Sequence, residues 1–104
     1  MEDAIDPILL DRILICAKKD EAIEKLYLFG SRARGTATAF SDIDIAIICT
    51  SAADVNRAAL NKAAIWYDGH VSFTYVLSHE FETDDHPLHV SSSIKKEGIL
   101  LWQK

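Results

Sequence analysis

The chain has 104 residues, enough for one compact domain with a buried core and too few for two domains of ordinary size. Its 16 acidic and 11 basic residues give a formal net charge of -5, which argues against nucleic-acid binding by broad electrostatic attraction. It has neither a membrane-length apolar run nor a signal-like N-terminus, so we expect a cytoplasmic protein with no membrane and no direct nucleic-acid partner.

The first predicted element is a helix that begins at Asp6-Pro7. Aspartate is a favoured helix cap, and proline is favoured at the first helical position. An apolar stripe with helical spacing follows, formed by Ile8, Leu9, Ile13, Leu14 and Ala17. The short apolar run from Leu26 to Phe29 then predicts a buried strand that runs directly into a turn at Gly30.

The residues after this turn predict a short helix, a loop and the most regular strand of the chain. We expect the helix over Ser31 to Arg34 and the loop over Thr36 to Ser41. The segment Asp42 to Cys49 begins with acids that alternate with isoleucines. In a strand, the side chains of Asp42 and Asp44 would therefore project from one face and the isoleucines from the other.

The second half of the chain predicts another helix, a third strand and a long loop. Ser51 and Asp54 resemble a capping box for a helix that ends before Asp68-Gly69. Val71 to Leu77 is rich in β-branched and aromatic residues, which favour strands. The polar tract Ser78 to His89 predicts a loop.

A last helix is expected from Ser91 to Gly98, and the apolar residues Ile99 to Trp102 would pack behind it as a tail. The alternation of helices and strands predicts a small α/β domain of the α+β type over residues 1–104, with three or four strands. We expect helices on one face of this sheet and an open second face. Cys16 and Cys49 have no CxxC spacing, and we expect buried thiols of a reducing compartment.

Two short motifs indicate the chemistry. Gly30 and Ser31 lie where a strand meets a helix, a place where backbone N–H groups attract phosphate oxygens, although an ordinary turn is the alternative. Asp42 and Asp44 would crowd two negative charges on one strand face, which favours a bound cation over a solvated edge. Carboxylates roughly 6.5 to 7 Å apart along a strand can converge on two divalent ions about 3.5 to 4 Å apart.

Gly30-Ser31, followed after ten intervening residues by Asp42-x-Asp44 with Ser41 just ahead of it, resembles the motifs of the nucleotidyltransferase superfamily that includes DNA polymerase beta. The resemblance is closest to its minimal nucleotidyltransferase (MNT) branch. Phe29, the segment Arg32 to Gly35 and the segment Ile94 to Ile99 also resemble that branch, so the resemblance spans most of the chain. It implies a small mixed β-sheet of the polymerase beta-like fold and transfer of AMP from ATP, with departure of pyrophosphate.

The resemblance also implies which residues act and on what. The nucleotide would be bound by Gly30, Ser31, Arg34 and Ser41. Two Mg²⁺ ions would be held by the catalytic carboxylates Asp42 and Asp44. Members of the MNT branch are often paired with a helical HEPN-type RNase toxin and act as its antitoxin by attaching AMP to a toxin tyrosine. The implied partner is therefore a HEPN-type protein, with homo-oligomers and hetero-oligomers both open.

The third predicted strand departs from the family pattern. The family usually carries a third carboxylate there, whereas this strand offers Ser72 or Thr74, neutral ligands that bind a hard cation more weakly. The acids nearest in sequence are Asp68, Asp84 and Asp85. Two hypotheses follow: an active adenylyltransferase antitoxin, or a catalytically weak or inactive module that neutralises a partner toxin by occlusion. The four histidines lack metal-site spacing, and we expect them at the surface.

Overall fold

The computed structural model describes residues 5–37, 42–67 and 69–104, so Ser41 and Asp68 lie outside the described residues. The described helices are α1 (Pro7–Lys19), α2 (Ser31–Arg34), α3 (Arg57–Ala64), α4 (Ser78–Thr83) and α5 (Val90–Glu97). The described strands are β1 (Ile23–Phe29), β2 (Ile43–Cys49), β3 (Val71–Leu77) and β4 (Ile99–Gln103). None of these helices has the length and apolar character needed to cross a membrane.

The four strands form one mixed sheet in the order β3-β2-β1-β4. β1 is antiparallel to both β2 and β4, whereas β2 and β3 are parallel. This confirms the expected mixed sheet, and β2 with its acidic start lies inside it. The predicted apolar tail is in fact β4, because pairing with the free edge of β1 satisfies backbone groups that a packed tail would leave without partners.

The start of α1 confirms the predicted cap. Oδ1 of Asp6 accepts hydrogen bonds from the N–H groups of Ile8 at 2.8 Å and Leu9 at 3.3 Å. Pro7 occupies the first turn, where its missing N–H costs no intrahelical bond. The side chains that anchor the helix to the sheet are fully buried: Leu9, Ile13 and Ala17.

The predicted capping box of the third helix is wrong. Ser51 caps only a short 3-10 turn, Ala52–Asp54, and its side chain makes no capping bond. Asn56 caps α3 instead, with its side-chain oxygen accepting from the N–H of Ala59 at 3.1 Å. Val55, between the two turns, is buried and has an extended backbone, which interrupts the helix and leaves asparagine, a strong cap, directly before the first residue of α3.

The predicted loop from Ser78 to His89 contains the six-residue helix α4. Phe81 is 5% exposed and packs into the protein, so a tertiary contact stabilises a helix that the polar composition does not favour. The strand β3 ends directly at this helix, without an intervening loop. Only the part after Thr83 is non-helical, up to the start of α5 at Val90.

Apolar side chains pack on both faces of the sheet. α1 and α3 cover the face that carries Ile43, Ile45 and Ile47. On the other face lies a second cluster, contributed by β2, β3, α4 and α5, and formed by Ala46, Ile48, Val76, Phe81 and Ile94. The expectation of helices on one face only is therefore wrong, because the acidic face of β2 becomes apolar after Asp44 and needs a cover of its own.

The two cysteines are free thiols. Cys49 is buried, as expected, whereas Cys16 is only half-buried. Burial raises the pKa of each thiol above its ordinary value, which disfavours the reactive thiolate.

Candidate active site

Gly30 joins β1 to α2 in a backbone conformation that only glycine adopts readily. Its φ of 75° and ψ of -156° lie in a region that is essentially closed to residues with a Cβ atom. A Cβ atom at this position would lie 2.5 Å from Oδ2 of Asp44, closer than real atoms approach. Glycine is therefore needed here for two reasons. It adopts the backbone conformation of the turn, and it leaves room for the turn to contact the Asp44 carboxylate directly.

The pairing of β1 with β2 explains this contact. Phe29, the last residue of β1, is the register partner of Asp44 near the start of β2. The antiparallel arrangement thus brings the end of one motif beside the start of the other, although ten residues separate them in sequence. The two motifs form one site at one end of the sheet.

Ser31 begins α2 and is half-buried. Its carbonyl oxygen accepts a hydrogen bond from the N–H of Thr36 at 3.0 Å, which closes the turn around the helix. With four residues, α2 is a single turn and contributes little macrodipole. Phosphate binding here would depend on the backbone N–H groups of the turn and on the Ser31 hydroxyl.

Asp42 is exposed, and Asp44 is half-buried beside it. Burial raises the pKa of the Asp44 carboxyl above its ordinary value of 3.8, and the negative charge of Asp42 raises it further. The positive charges of His70 and Arg34 act in the opposite direction. The negative charge on Asp44 is therefore unfavourable in the folded chain by itself, and a nearby cation would stabilise it.

The raised pKa of Asp44 predicts a pH-dependent stability. The folded state binds this proton more tightly than the unfolded chain, so the stabilisation is complete below pH 3.8 and is lost as the pH rises through the higher folded value. In metal-free buffer near neutral pH, Asp44→Asn is expected to melt about 2 to 4 °C above wild type, a value discounted for partial exposure. Melting followed by circular dichroism should show the difference close as the pH falls to about 3. A constant difference would contradict this cause.

Arg34 lies at the end of α2 and forms an ion pair with Glu97 of α5, with Nη1 3.1 Å from Oε2. The two side chains are 47% and 40% exposed, so the pair contributes little to stability. Arg34 is also one of the positive charges that act on Asp44. The structure thus places this predicted nucleotide-binding residue at the edge of the acidic site, already in contact with a carboxylate.

The neutral residues of β3 differ in their position relative to the acids. Ser72 is the register partner of Asp44 in the parallel pairing of β2 and β3, whereas Thr74 is the partner of Ala46. Ser72 is therefore the residue beside the carboxylates.

Asp84, one of the acids nearest to β3 in sequence, lies after α4, where its Oδ2 contacts Nδ1 of His89 at 2.7 Å. Hydrogen bonds from the backbone of His86 and the side chain of His89 lower the pKa of Asp84.

His70 is the residue of the site that sequence reasoning missed. Its carbonyl oxygen accepts a hydrogen bond from the N–H of Ile43 at 2.9 Å. This bond fixes His70, the residue before β3, beside the start of β2. The side chain is exposed, as expected for all four histidines, but its charge reaches Asp44. The signal that could have found it is the parallel pairing of the second and third strands, because that pairing places His70 next to Asp42.

The donors present fit a hard divalent cation. Asp42 and Asp44 supply carboxylate oxygens, which Mg²⁺ prefers, and the raised pKa of Asp44 reflects a charge that a cation would balance. Across the described ranges, no three side chains among histidine, cysteine, aspartate and glutamate are close enough to form a metal site by themselves. Two carboxylates leave most positions around the ion to water or to the phosphates of a ligand, as is usual for Mg²⁺.

Several solved structures share this fold. A chain of a toxin–antitoxin complex crystallised with AMP-PNP is 23% identical and has a TM-score of 0.63, with 91% of this chain and 73% of that chain covered. A chain of the MntA-HepT toxin–antitoxin complex is 20% identical, with a TM-score of 0.56 and coverages of 92% and 71%. A chain of the complex between tri-AMPylated HEPN toxin and MNT antitoxin from Shewanella oneidensis is 18% identical, with a TM-score of 0.60 and coverages of 96% and 74%.

These likenesses show the fold, which is the polymerase beta-like nucleotidyltransferase fold expected from the sequence motifs. A comparison with curated proteins finds no match. The family model described as polymerase beta, nucleotidyltransferase, matches residues 11–104, which include every described residue of the candidate site. The chain therefore belongs to the polymerase beta nucleotidyltransferase family.

Proposed function

We propose that this chain is a magnesium-dependent adenylyltransferase that transfers AMP from ATP to a tyrosine of a HEPN-type RNase toxin and thereby acts as its antitoxin. The observation that carries the proposal is the contact of the Gly30 turn with the Asp44 carboxylate, because it joins a phosphate-binding motif to a metal-binding motif. The similar complexes add support, since one contains AMP-PNP and another a tri-AMPylated HEPN toxin beside its MNT antitoxin. The two free cysteines agree with a cytoplasmic location.

The proposed reaction forms one bond and breaks one bond at the α-phosphorus of ATP. The tyrosine oxygen bonds to this phosphorus, the bond to the β-phosphate oxygen breaks, pyrophosphate leaves, and the phenolic proton is released to water. No covalent enzyme intermediate is needed, so the chain contributes by positioning and by electrostatic stabilisation.

In this proposal each residue of the site has a separate role. The turn at Gly30 and Ser31 binds phosphate oxygens, and Arg34, together with Ser41, adds contacts to the nucleotide. Asp42 and Asp44 would hold Mg²⁺, which when bound neutralises triphosphate charge that the two carboxylates would otherwise repel. The half-buried position of Asp44 limits water around that charge and so strengthens its electrostatic effect.

The test is label transfer from ATP carrying a radioactive α-phosphate. The acceptor is the purified product of the adjacent gene, which this proposal expects to encode a HEPN-type protein. Wild-type chain with Mg²⁺ should label that protein, and omission of Mg²⁺ in the presence of EDTA should abolish the label. Replacement of the acceptor tyrosine by phenylalanine should do the same. No labelling of the partner under any of these conditions would overturn the proposed activity.

One observation favours a second candidate function. Ser72 lies beside Asp44 on the strand where the resemblance implies a third carboxylate, so a cation would have one charged ligand fewer. The chain would then be a binding module that neutralises its toxin by occlusion. In that case toxin inhibition should persist without nucleotide and in variants that lack both carboxylates.

A further inference from the structure

A surface groove runs between α1 and α3, on the face of the sheet opposite to the acids. One cavity of about 410 Å³ is lined by Arg12, Ile15, Cys16, Ala59, Lys62 and Ala63. A second cavity, of about 300 Å³, shares Cys16 and Ala59 with the first and extends it past Lys19 to Asn56. Together they form one continuous depression along the two helices, which we call the α1/α3 groove.

The rim of the α1/α3 groove carries exposed apolar side chains. Ile8 is 60% exposed and Ile15 is 47% exposed, and their spacing of seven residues puts them on one stripe of α1. At the end of α3, Trp66 is 41% exposed and lies against Arg12. Of the seven large apolar side chains that are exposed in the described part of the chain, Ile15 lines this groove, Ile8 lies on the same stripe of α1, and Trp66 contacts Arg12 at the rim. Such a cluster is typical of an interaction surface.

Among the described residues, the first cavity is lined by two cations and no acid, although the whole chain carries -5. These cations are Arg12 and Lys62, and the second cavity adds Lys19 together with the acids Asp20 and Glu21. Arg12 lies over the Trp66 ring at 5.2 Å, which holds a guanidinium beside apolar surface. Asp20, one of the acids at the far end, is engaged within the chain, with its carboxylate oxygens accepting the N–H groups of Ala22 and Asn56.

Shape and charge together define what fits this surface. The floor has alanines at 59 and 63, one helical turn apart, so another helix can approach closely. Exposed apolar side chains on both rims suit the apolar ridge of an amphipathic helix. The cations suit glutamate and aspartate beside that ridge.

We propose that the α1/α3 groove docks an amphipathic helix with acidic flanks, carried by the partner protein. This inference rests on the proposed function for the identity of the partner and adds where it binds. Because the groove and the acids lie on opposite faces, docking leaves the candidate active site uncovered. Binding of the partner and transfer of AMP are therefore separable by mutation.

The test is calorimetric titration of the full-length chain with the HEPN-type protein of the adjacent gene. Ile15→Glu and Lys62→Glu, both at exposed positions, should each raise the Kd at least about tenfold, because one places a charge on the apolar rim and the other reverses a favourable charge. The penalty of Lys62→Glu should shrink at high salt. Leu88→Glu and Lys96→Glu are the matched controls, since both residues are exposed and lie outside the groove, and neither should change the Kd by more than about twofold.

Circular dichroism melting of each variant ensures that a change in Kd is not caused by unfolding. An unchanged Kd in both groove variants, with AMP transfer still lost in Asp44→Asn, would overturn the docking site and leave the proposed function intact. Equal weakening by the control variants would also overturn it, because the effect would then reflect net charge. If the wild-type chain binds no HEPN-type protein, the proposed function and this inference fail together.

Discussion

Asp44→Asn is expected to lower AMP transfer roughly 100- to 1,000-fold while the fold becomes slightly more stable. The loss follows because asparagine keeps the shape of the side chain but removes a charged metal ligand, and metal-bound charge stabilisation contributes several kcal/mol. The gain in stability follows because burial and the charge of Asp42 already disfavour the carboxylate. Single-turnover labelling of the partner protein would measure the first effect, and thermal melting the second.

Because activity falls while stability rises, this variant distinguishes a loss of catalysis from a loss of folding. A variant that melts higher than wild type cannot have lost its activity by unfolding. Asp42→Asn should also impair transfer, whereas Asp54→Asn, a matched change at an exposed acid outside the site, should leave it unchanged. Wild-type transfer rates in Asp44→Asn would show that this carboxylate holds no catalytic metal. Toxin inhibition that survives in the double variant without Asp42 and Asp44 would support occlusion instead.

Gly30→Ala is expected to destabilise the fold by about 1 to 3 kcal/mol and to abolish detectable nucleotide binding. An alanine here has an unfavourable backbone conformation, and its methyl group would meet the Asp44 carboxylate at 2.5 Å. Relief of that contact requires the turn or the acid to move, and either movement separates the two halves of the site. Denaturant titration and calorimetry with ATP and Mg²⁺ would measure the two effects.

Gly35→Ala provides the matched control. Gly35 also has a positive φ, 77°, but among the described residues, its own chain neighbours aside, no atom lies within 4 Å of the position that its Cβ would take. This substitution should cost about 1 kcal/mol through backbone strain and leave nucleotide binding largely unchanged. Equal loss of binding in the two variants would mean that positive φ alone matters, and that contact with Asp44 does not.

Local sequence rules predict the elements whose residues determine their own structure. Asp6-Pro7 starts α1 as expected, and the segment Val71 to Leu77 forms β3 with the predicted bounds. The rules fail where distant packing decides. α4 forms because Phe81 is buried in the second cluster, and Ile99 to Gln103 become a strand because β1 has a free edge. Neither contact is visible in a short sequence window.

The candidate site, like the fold, is predicted in part by local sequence and in part only by strand pairing. Spacing along the chain indicates that Asp42 and Asp44 share a face, and the resemblance selects Gly30 as their companion. Only strand register places the Gly30 turn against Asp44 and puts Ser72, rather than Thr74, beside it. His70 enters the site for the same reason, since its position depends on a parallel pairing that composition does not specify.

The ion pair between Arg34 and Glu97 gives the chain an internal competitor for anions. A phosphate group that contacts Nη1 of Arg34 must compete with a carboxylate whose local concentration is set by the fold and not by the solution. Half-exposed pairs contribute less than about 1 kcal/mol, so this competition weakens anion binding by no more than about fivefold. Displacement would break this link between α2 and α5, while the buried Ile94 keeps α5 packed against the sheet.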